Sequence, residues 1–482
     1  MIITNELEAR IVHLLEHWDA APVRTDSSSI ELLYTELDRE PSLTRAWEAL
    51  AVLRLTLPTR DDVYGFARAV KLNGAQVAVD ALPSPVNWSP FGRTADVVII
   101  SRGVVADVHT TVHTKGTTGI QRVARETVSR WASLGLATPV AWSEEHLAPR
   151  LLSAEEAASL SGRSDGESST NNEPITLVIP LGGTYVIPEL TIEPWRNLRL
   201  SAIGQFASTS LTGIGFDTVP VTSTETAAAP IAERFPRYLD ALGWADRVAA
   251  ISEAAATEYR GWRRMLVGSG RMGPEIESIP LAAEVSQPGK SAHDRARSAL
   301  DIKDQAPFVL VVGSHEPRKN HLAILYAAEV LWREGHDFQL AFIGGNAWGA
   351  EMFTREVARL KDSGHPISIV SGAGDDIVFG AYYHAAFSVF PSLNEGFGLP
   401  VVESLASGTP VITSAYGSMR EIAEQYGGVV LVDPRNDQSL IEAMRTLLTD
   451  SALLESLTRQ AQKVTPKTWD SYATEVFDYL TR

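Results

Sequence analysis

The chain has no cysteine among its 482 residues. Disulfides, thiolate zinc sites and a cysteine nucleophile are therefore excluded, and a reducing compartment fits. Positive charge is also scarce. There are 42 Lys and Arg against 59 Asp and Glu, a formal net charge of −17. Such a balance argues against nucleic-acid backbone as the main partner, while leaving room for a local basic pocket that takes a small phosphate ligand. No run of about 18 apolar residues occurs, so no membrane span is expected. The opening "MIITNELEARIVHLLEHWDA" lacks a basic stretch followed by an apolar core. No signal peptide is expected, and the cytoplasm is the expected location.

What is present is ordinary globular material, 44% hydrophobic and 21% charged, in a length that suits two or three domains. Residues 1–95 read as helical. Leu7, Ile11, Leu14, Leu15 and Trp18 share one face, and Ile30, Leu33, Tyr34 and Leu37 repeat the pattern. No chemistry is legible there, so this is an accessory layer or a subunit contact. From 96 the rhythm changes. "ADVVIIS" and "GVVADVH" are short strands, and Ile120, Val123, Val128 and Trp131 form a helical stripe after a Gly-rich loop. The segment 154–174 is polar and reads as a mobile loop. A boundary falls near 288. A second series of strands and helices follows: "PFVLVVGS", "FQLAFIGG", "ISIVSG", "FSVFPS" and "TPVITS" are buried strands. Asn320 stands at the cap of the helix after the first of them. The fold class is α/β, with two doubly wound domains facing a cleft behind a helical N-terminal extension. The expected divisions are 1–95, 96–288, 289–465 and a terminal helix in 466–482.

The most specific stretch is "NEGFGLPVVESLASGTPVI" (394–412). Glu395 lies on the turn after a strand and Glu403 about one turn into the next helix, with Pro400 suited to that helix's start. Gly396 and Gly398 allow close backbone approach to a ligand. Free N–H groups at the helix start favour an anion, so the stretch suits a phosphorylated ligand with a carboxylate on each flanking sugar. Acidic residues early in a helix also complement its dipole without any ligand. Arg318 and Lys319 precede another helix and, by themselves, read as a solvated turn.

The stretch is similar to the E-x7-E signature of retaining glycosyltransferases with the GT-B fold, especially glycosyltransferase family 4. "VGSHEPRKNH", "FIGGNAWG", "GTTGIQRVARE" and "ADRVAAISEAAATEY" resemble further motifs of that family, the third those of mannosyl- and rhamnosyltransferases of surface polysaccharides. The resemblance covers roughly 100–482. It implies that Glu403 holds the nucleotide ribose, that Glu395 contacts the donor sugar, and that Phe397, Gly398 and Leu399 offer backbone N–H groups. It implies that Arg318 and Lys319 neutralise the diphosphate, that the loop at Gly116 and Gly119 closes over it, and that the last helix returns to the first domain. The family's His–Asp pair is incomplete here: Asp217 is kept, and Phe216 holds the histidine position.

The reaction implied is transfer of a hexose, mannose or rhamnose, from a nucleoside-diphosphate sugar to a hydroxyl of a glycan or lipid-linked glycan, with retention. No metal and no cofactor is expected. A lipid-linked acceptor would bring the chain to the inner face of the membrane. An oligomer through residues 1–95 stays open, as do an inactive sugar-nucleotide-binding scaffold and a nucleotide-sugar epimerase. Asp107, Asp217 and His315 are candidate cleft residues. His109 and His113 are expected on a strand and a loop, which gives no shared metal face.

Overall fold

A computed structural model describes residues 5–20, 28–83, 95–114, 118–145, 147–162, 175–226, 228–285 and 289–482. The boundary expected near 288 lies outside the described residues. Five helices come first: Asn5–His17, Ser29–Arg39, Leu43–Arg54, Arg60–Asn73 and Ala75–Asp80. Their apolar faces do not form a separate core. Leu14, Leu33, Trp47 and Val63 are buried in one continuous cluster with Ile179, Leu181 and Leu200 of the following α/β unit. Polar groups join the two layers as well. His13 Nε2 lies 2.7 Å from Ser101 Oγ, and His17 Nε2 lies 3.1 Å from Ser208 Oγ. The accessory layer is thus a third layer of the first domain.

The first sheet holds β1 (Asp96–Ser101), β2 (Val104–Asp107), β3 (Thr138–Ser143), β4 (Ala148–Leu151), β5 (Thr176–Leu181), β6 (Thr184–Ile187), β7 (Ser210–Gly215), β8 (Arg247–Ala250) and β9 (Glu275–Ser278). Their order is β1-β5-β4-β3-β2-β6-β7-β8-β9. All neighbours are parallel except around β4, which runs against β3 and β5. The second sheet holds β10 (Phe308–Val312), β11 (Gln339–Ile343), β12 (Ile367–Val370), β13 (Phe387–Phe390), β14 (Val411–Ser414) and β15 (Val429–Val432). Its order is β12-β11-β10-β13-β14-β15, parallel throughout. The central strands are covered on both faces and are mostly apolar; every residue of β11 and β13 is buried, Gln339 and Ser388 included.

The last helix, Trp469–Leu480, packs on the helix Gly119–Ser133 of the first domain. Trp131 Nε1 donates to the Ala473 carbonyl at 2.9 Å. Trp469, Tyr472, Val476 and Leu480 belong to the first domain's core.

Two local expectations change. Ala154–Leu160 is a helix, not part of a mobile loop. Ser153 and Glu156 close a reciprocal cap at its start, with Ser153 N–H donating to Glu156 Oε2 at 2.8 Å. The S-x-x-E signal for that cap was present in the sequence. Residues 163–174 lie outside the described residues. Asn320 stands at the expected helix start but does not cap it. Its backbone is left-handed, and its side chain donates to the carbonyls of Pro391 (3.3 Å) and Pro434 (2.8 Å). Among the described residues no helix is long and apolar enough to cross a membrane.

Candidate functional site

A cleft of about 1480 Å³ opens between the carboxyl ends of the two sheets. In the second sheet β10 and β13 are neighbours, and the strand order reverses between them. The loops leaving these two strands diverge there, which is where doubly wound sheets bind ligands. The loop after β10 carries Arg318 and Lys319. The loop after β13 carries Glu395 and runs into the helix Leu399–Ala406, which carries Glu403. The two loops are tied together, for Leu393 N–H donates to the Arg318 carbonyl at 2.9 Å.

The charges at this point form a compact cluster. Arg318 Nη1 lies 2.6 Å from Glu395 Oε2, and Lys319 Nζ lies 2.5 Å from Glu395 Oε1. Ser392 Oγ also donates to Oε1, at 2.7 Å. Arg318 reaches Glu316 at 2.8 Å as well. Burial by itself would raise the Glu395 pKa; Arg318 and then Lys319 outweigh it and bring the carboxyl down to about 2. Both carboxylate oxygens are engaged, whereas Lys319 keeps donors to spare, since an ammonium has three.

The first domain closes on this cluster. Asp217 follows β7 and lies against the turn; a Cβ on Gly396 would stand 3.1 Å from the Asp217 Cβ and 2.9 Å from Ile251 Cδ1. A side chain at Gly396 would therefore crowd the neighbouring domain. Gly398 has φ of +105°, a left-handed turn that starts the helix. Phe397 and Leu399 pack their side chains against the cores of both domains. Burial raises the Asp217 pKa, with Arg318 opposing. Ser252 accepts from Ala255 N–H at 3.0 Å, capping the helix Glu253–Gly268, and donates to the Gly396 carbonyl at 2.6 Å. Phe216 is buried and lines the cleft.

Glu403 is buried in the cleft wall. Its Oε1 accepts from Arg122 Nη1 at 2.7 Å, across the cleft from the helix Gly119–Ser133. Gly119 opens that helix, and a Cβ there would stand 4.0 Å from Leu399 Cδ1. Gly116 lies outside the described residues. Arg122 was not singled out in the sequence, although a signal existed. Two arginines, Arg122 and Arg125, stand near the N-terminus of a helix, where the dipole disfavours cations unless they have partners.

Two candidate cleft residues are not in the cleft. Asp107 is fully buried beneath it. It accepts from Arg196 Nη2 (2.7 Å), Trp142 Nε1 (2.7 Å) and the Tyr185 hydroxyl (3.0 Å). Arg196 also binds Glu189 at 2.7 Å, and Glu189 accepts the backbone N–H groups of Thr110 and Thr111, each at 2.7 Å. Asp107 therefore anchors the end of β2. His315 is 1% exposed and packs among His321, Phe342 and Phe353. Burial lowers its pKa, so it is a neutral core residue. His109 and His113 do share one short helix, contrary to expectation, with rings 4.5 Å apart. One nitrogen of each ring is committed elsewhere: His109 Nδ1 accepts from Trp142 N–H at 3.1 Å, and His113 Nδ1 lies 2.7 Å from the His109 carbonyl. Among the described residues, no group of three or more His, Asp or Glu could hold a metal ion.

Solved structures share this two-domain arrangement. Sucrose-phosphate synthase from Thermosynechococcus elongatus superposes with a TM-score of 0.53 at 18% identity, over 78% of this chain and 98% of that one. HepE from Anabaena, solved with UDP and glucose, gives 0.56 at 12% identity, over 79% and 99%. The fold is GT-B. Its second domain carries the sequence signal: residues 293–464 match the family model described as Glycosyl transferases group 1. The serotype-specific mannosyltransferase WbdA of Escherichia coli is 27% identical over 337 residues, which are 68% of this chain and 40% of that protein. This GT-B chain thus spans about two fifths of the length of that curated relative.

Proposed function

We propose that the chain is a retaining glycosyltransferase of family 4 character. It moves a hexose, read as mannose, from a nucleoside-diphosphate sugar to a hydroxyl of a surface glycan or lipid-linked glycan. The observation that carries the reading is the convergence at one switch point of Arg318, Lys319, Glu395 and the helix start before Glu403. The mannosyltransferase name of the relative WbdA supports the choice of mannose.

In this reading the diphosphate lies against Lys319, Arg318 and the N-terminus of Leu399–Ala406. The bond from the sugar's anomeric carbon to the phosphate oxygen breaks, and its electron pair stays on the phosphate. The acceptor oxygen bonds the same face of that carbon, and its proton passes to the leaving phosphate. Preorganised cations stabilise the growing negative charge, the kind of contribution that is often the largest in catalysis. Glu395 is held by two cations and a hydroxyl with its pKa near 2, which suits a residue that positions Arg318, Lys319 and the sugar better than one that attacks carbon. Glu403 would accept from the ribose. Asp217 and Phe216 would face the sugar from the first domain.

The test is thermal denaturation with GDP, UDP, dTDP and their sugars, on wild type and Glu403→Ala. A ligand at 100 times its dissociation constant stabilises by about 2.7 kcal/mol. Wild type should rise with one nucleotide class, and the variant much less. No rise with any nucleotide would remove this reading and the sugar-nucleotide-binding scaffold with it.

A further inference from the structure

The nucleotide half of the cleft is not built by the second domain alone. Glu403 sits on the second domain, yet the cation it pairs with, Arg122, is 281 residues away on the first. Oε1 takes the Arg122 bond; among the described residues no hydrogen bond engages Oε2, and the residue lines the cleft. Arg122 is itself steadied from behind, its guanidinium 6.0 Å from the centre of the Trp469 ring. Trp469 begins the terminal helix that returns to the first domain.

The other groups near Glu403 offer it no positive charge. Asp375, at the start of the helix Asp375–His384, is a like charge that disfavours ionisation. Tyr382, on the same helix, spends its hydroxyl on the Pro400 carbonyl at 3.1 Å. Burial is the main force pushing the Glu403 carboxyl up, and Arg122 is what opposes it. This matters for recognition, because an ionised carboxylate is an acceptor only, with two oxygens for two hydroxyls, whereas a protonated one must donate through one of them.

We propose that Arg122 is a positioning residue for the donor. It holds Glu403 ionised and oriented, so that the carboxylate can accept from the ribose hydroxyls, and it thereby completes the nucleotide site from the first domain. The inference rests on the ribose role proposed for Glu403. It has a consequence for the two domains: nucleotide affinity depends on their approach, because a first domain swung away would take the counter-charge with it.

The experiment measures binding of GDP, UDP and dTDP to the full chain at about pH 6 and about pH 8.5, the lower pH being the one nearer the ordinary carboxylate range. The proteins are wild type, Arg122→Lys, Arg122→Met, Glu403→Gln and the double variant Arg122→Met/Glu403→Gln. Arg122→Met should weaken binding by about tenfold at the lower pH and by less than about threefold at the higher, a difference of the size one unit of pKa produces. The sign follows from the carboxyl, which loses its charge as pH falls through its raised pKa. Arg122→Lys should keep the wild-type profile, and the double variant should lose the pH dependence. Arg122→Gln replaces Arg122→Met if the latter does not fold, as judged by its thermal transition without nucleotide. Binding by Arg122→Met that equals wild type at both pH values, or that falls by the same factor at both, overturns the inference alone. Wild type that binds none of the three nucleotides, or Glu403→Gln that binds as wild type does, overturns the ribose role and this inference with it.

Discussion

Each sheet ends in a buried cluster of opposite charges, and the two clusters differ in what remains free. At the end of the first sheet, Arg196 is fully buried between Asp107 and Glu189, and the carboxylates are further bonded by Trp142, Tyr185 and two backbone N–H groups. Arg196 and Asp107 face only protein, and Glu189, which also lines the cleft, has both its oxygens taken by Arg196 and the two backbone N–H groups. At the end of the second sheet, Arg318, Lys319, Glu316 and Glu395 line the cleft itself. An ion pair at a strand end therefore says little about function. The orientation of its unspent donors says more. The Arg196 cluster shapes the cleft by fixing the residues after β2 and β6, whereas the Glu395 cluster can meet a ligand.

Breaking the first cluster should have the largest effect. Arg196→Met strands Asp107 and Glu189 in the interior without a counter-charge, and loss of one partner from a buried pair costs about 3–5 kcal/mol. Urea unfolding should show that loss, or the variant should accumulate unfolded. Whatever fraction folds should still bind nucleotide, since the second cluster is intact.

The matching change in the second cluster should trade stability for chemistry. Lys319→Met leaves Arg318 on Glu395 and should cost little stability. Turnover should fall by about 10²–10³-fold if Lys319 stabilises the departing diphosphate, as judged by kcat with saturating donor. Equal kcat in this variant would place the second cluster beside the first as structural.

Acid should separate the roles further. The folded pKa of Glu395 is depressed, so its contribution to stability is present above the ordinary carboxylate range and is lost as pH falls towards about 2. The deficit of Glu395→Gln relative to wild type should be full at neutral pH and shrink below about pH 4. Denaturant titrations at both ends of that range would check it. A deficit independent of pH would mean that shape, not charge, holds the turn.

A smaller effect tests the seam between the domains. Gly396→Ala brings a methyl within 2.9 Å of Ile251 Cδ1. Overpacking of this kind costs about 1–3 kcal/mol, and here it should be relieved by opening the cleft, read as weaker nucleotide binding. The smallest effect is expected at Asp470. Its side chain is 85% exposed although it pairs with Arg130. Asp470→Ala should change stability by less than about 1 kcal/mol.

The alternation of Val/Ile-rich strands with amphipathic helices determined both sheets, because burial on both faces leaves no other use for runs such as "FVLVV" and "QLAFI". The turn at Glu395 was equally legible, since Gly398 can take the left-handed backbone the turn uses and Pro400 suits the first turn of a helix. Residues 5–83 announced their helices by period, but not their partner; an apolar stripe shows that a face is buried and is silent about what buries it. The capped helix Ala154–Leu160 was missed because a short polar segment carries little apolar period to set against its capping signal. Tertiary structure alone decided the rest. It placed Asp107 and His315 under the surface, and it brought Arg122 to Glu403 across 281 residues of sequence. Charge pairing acts through space at a few ångströms, while hydrophobic period acts along the chain. A sequence therefore displays its elements more readily than it displays the counter-ions that only the folded cleft brings together.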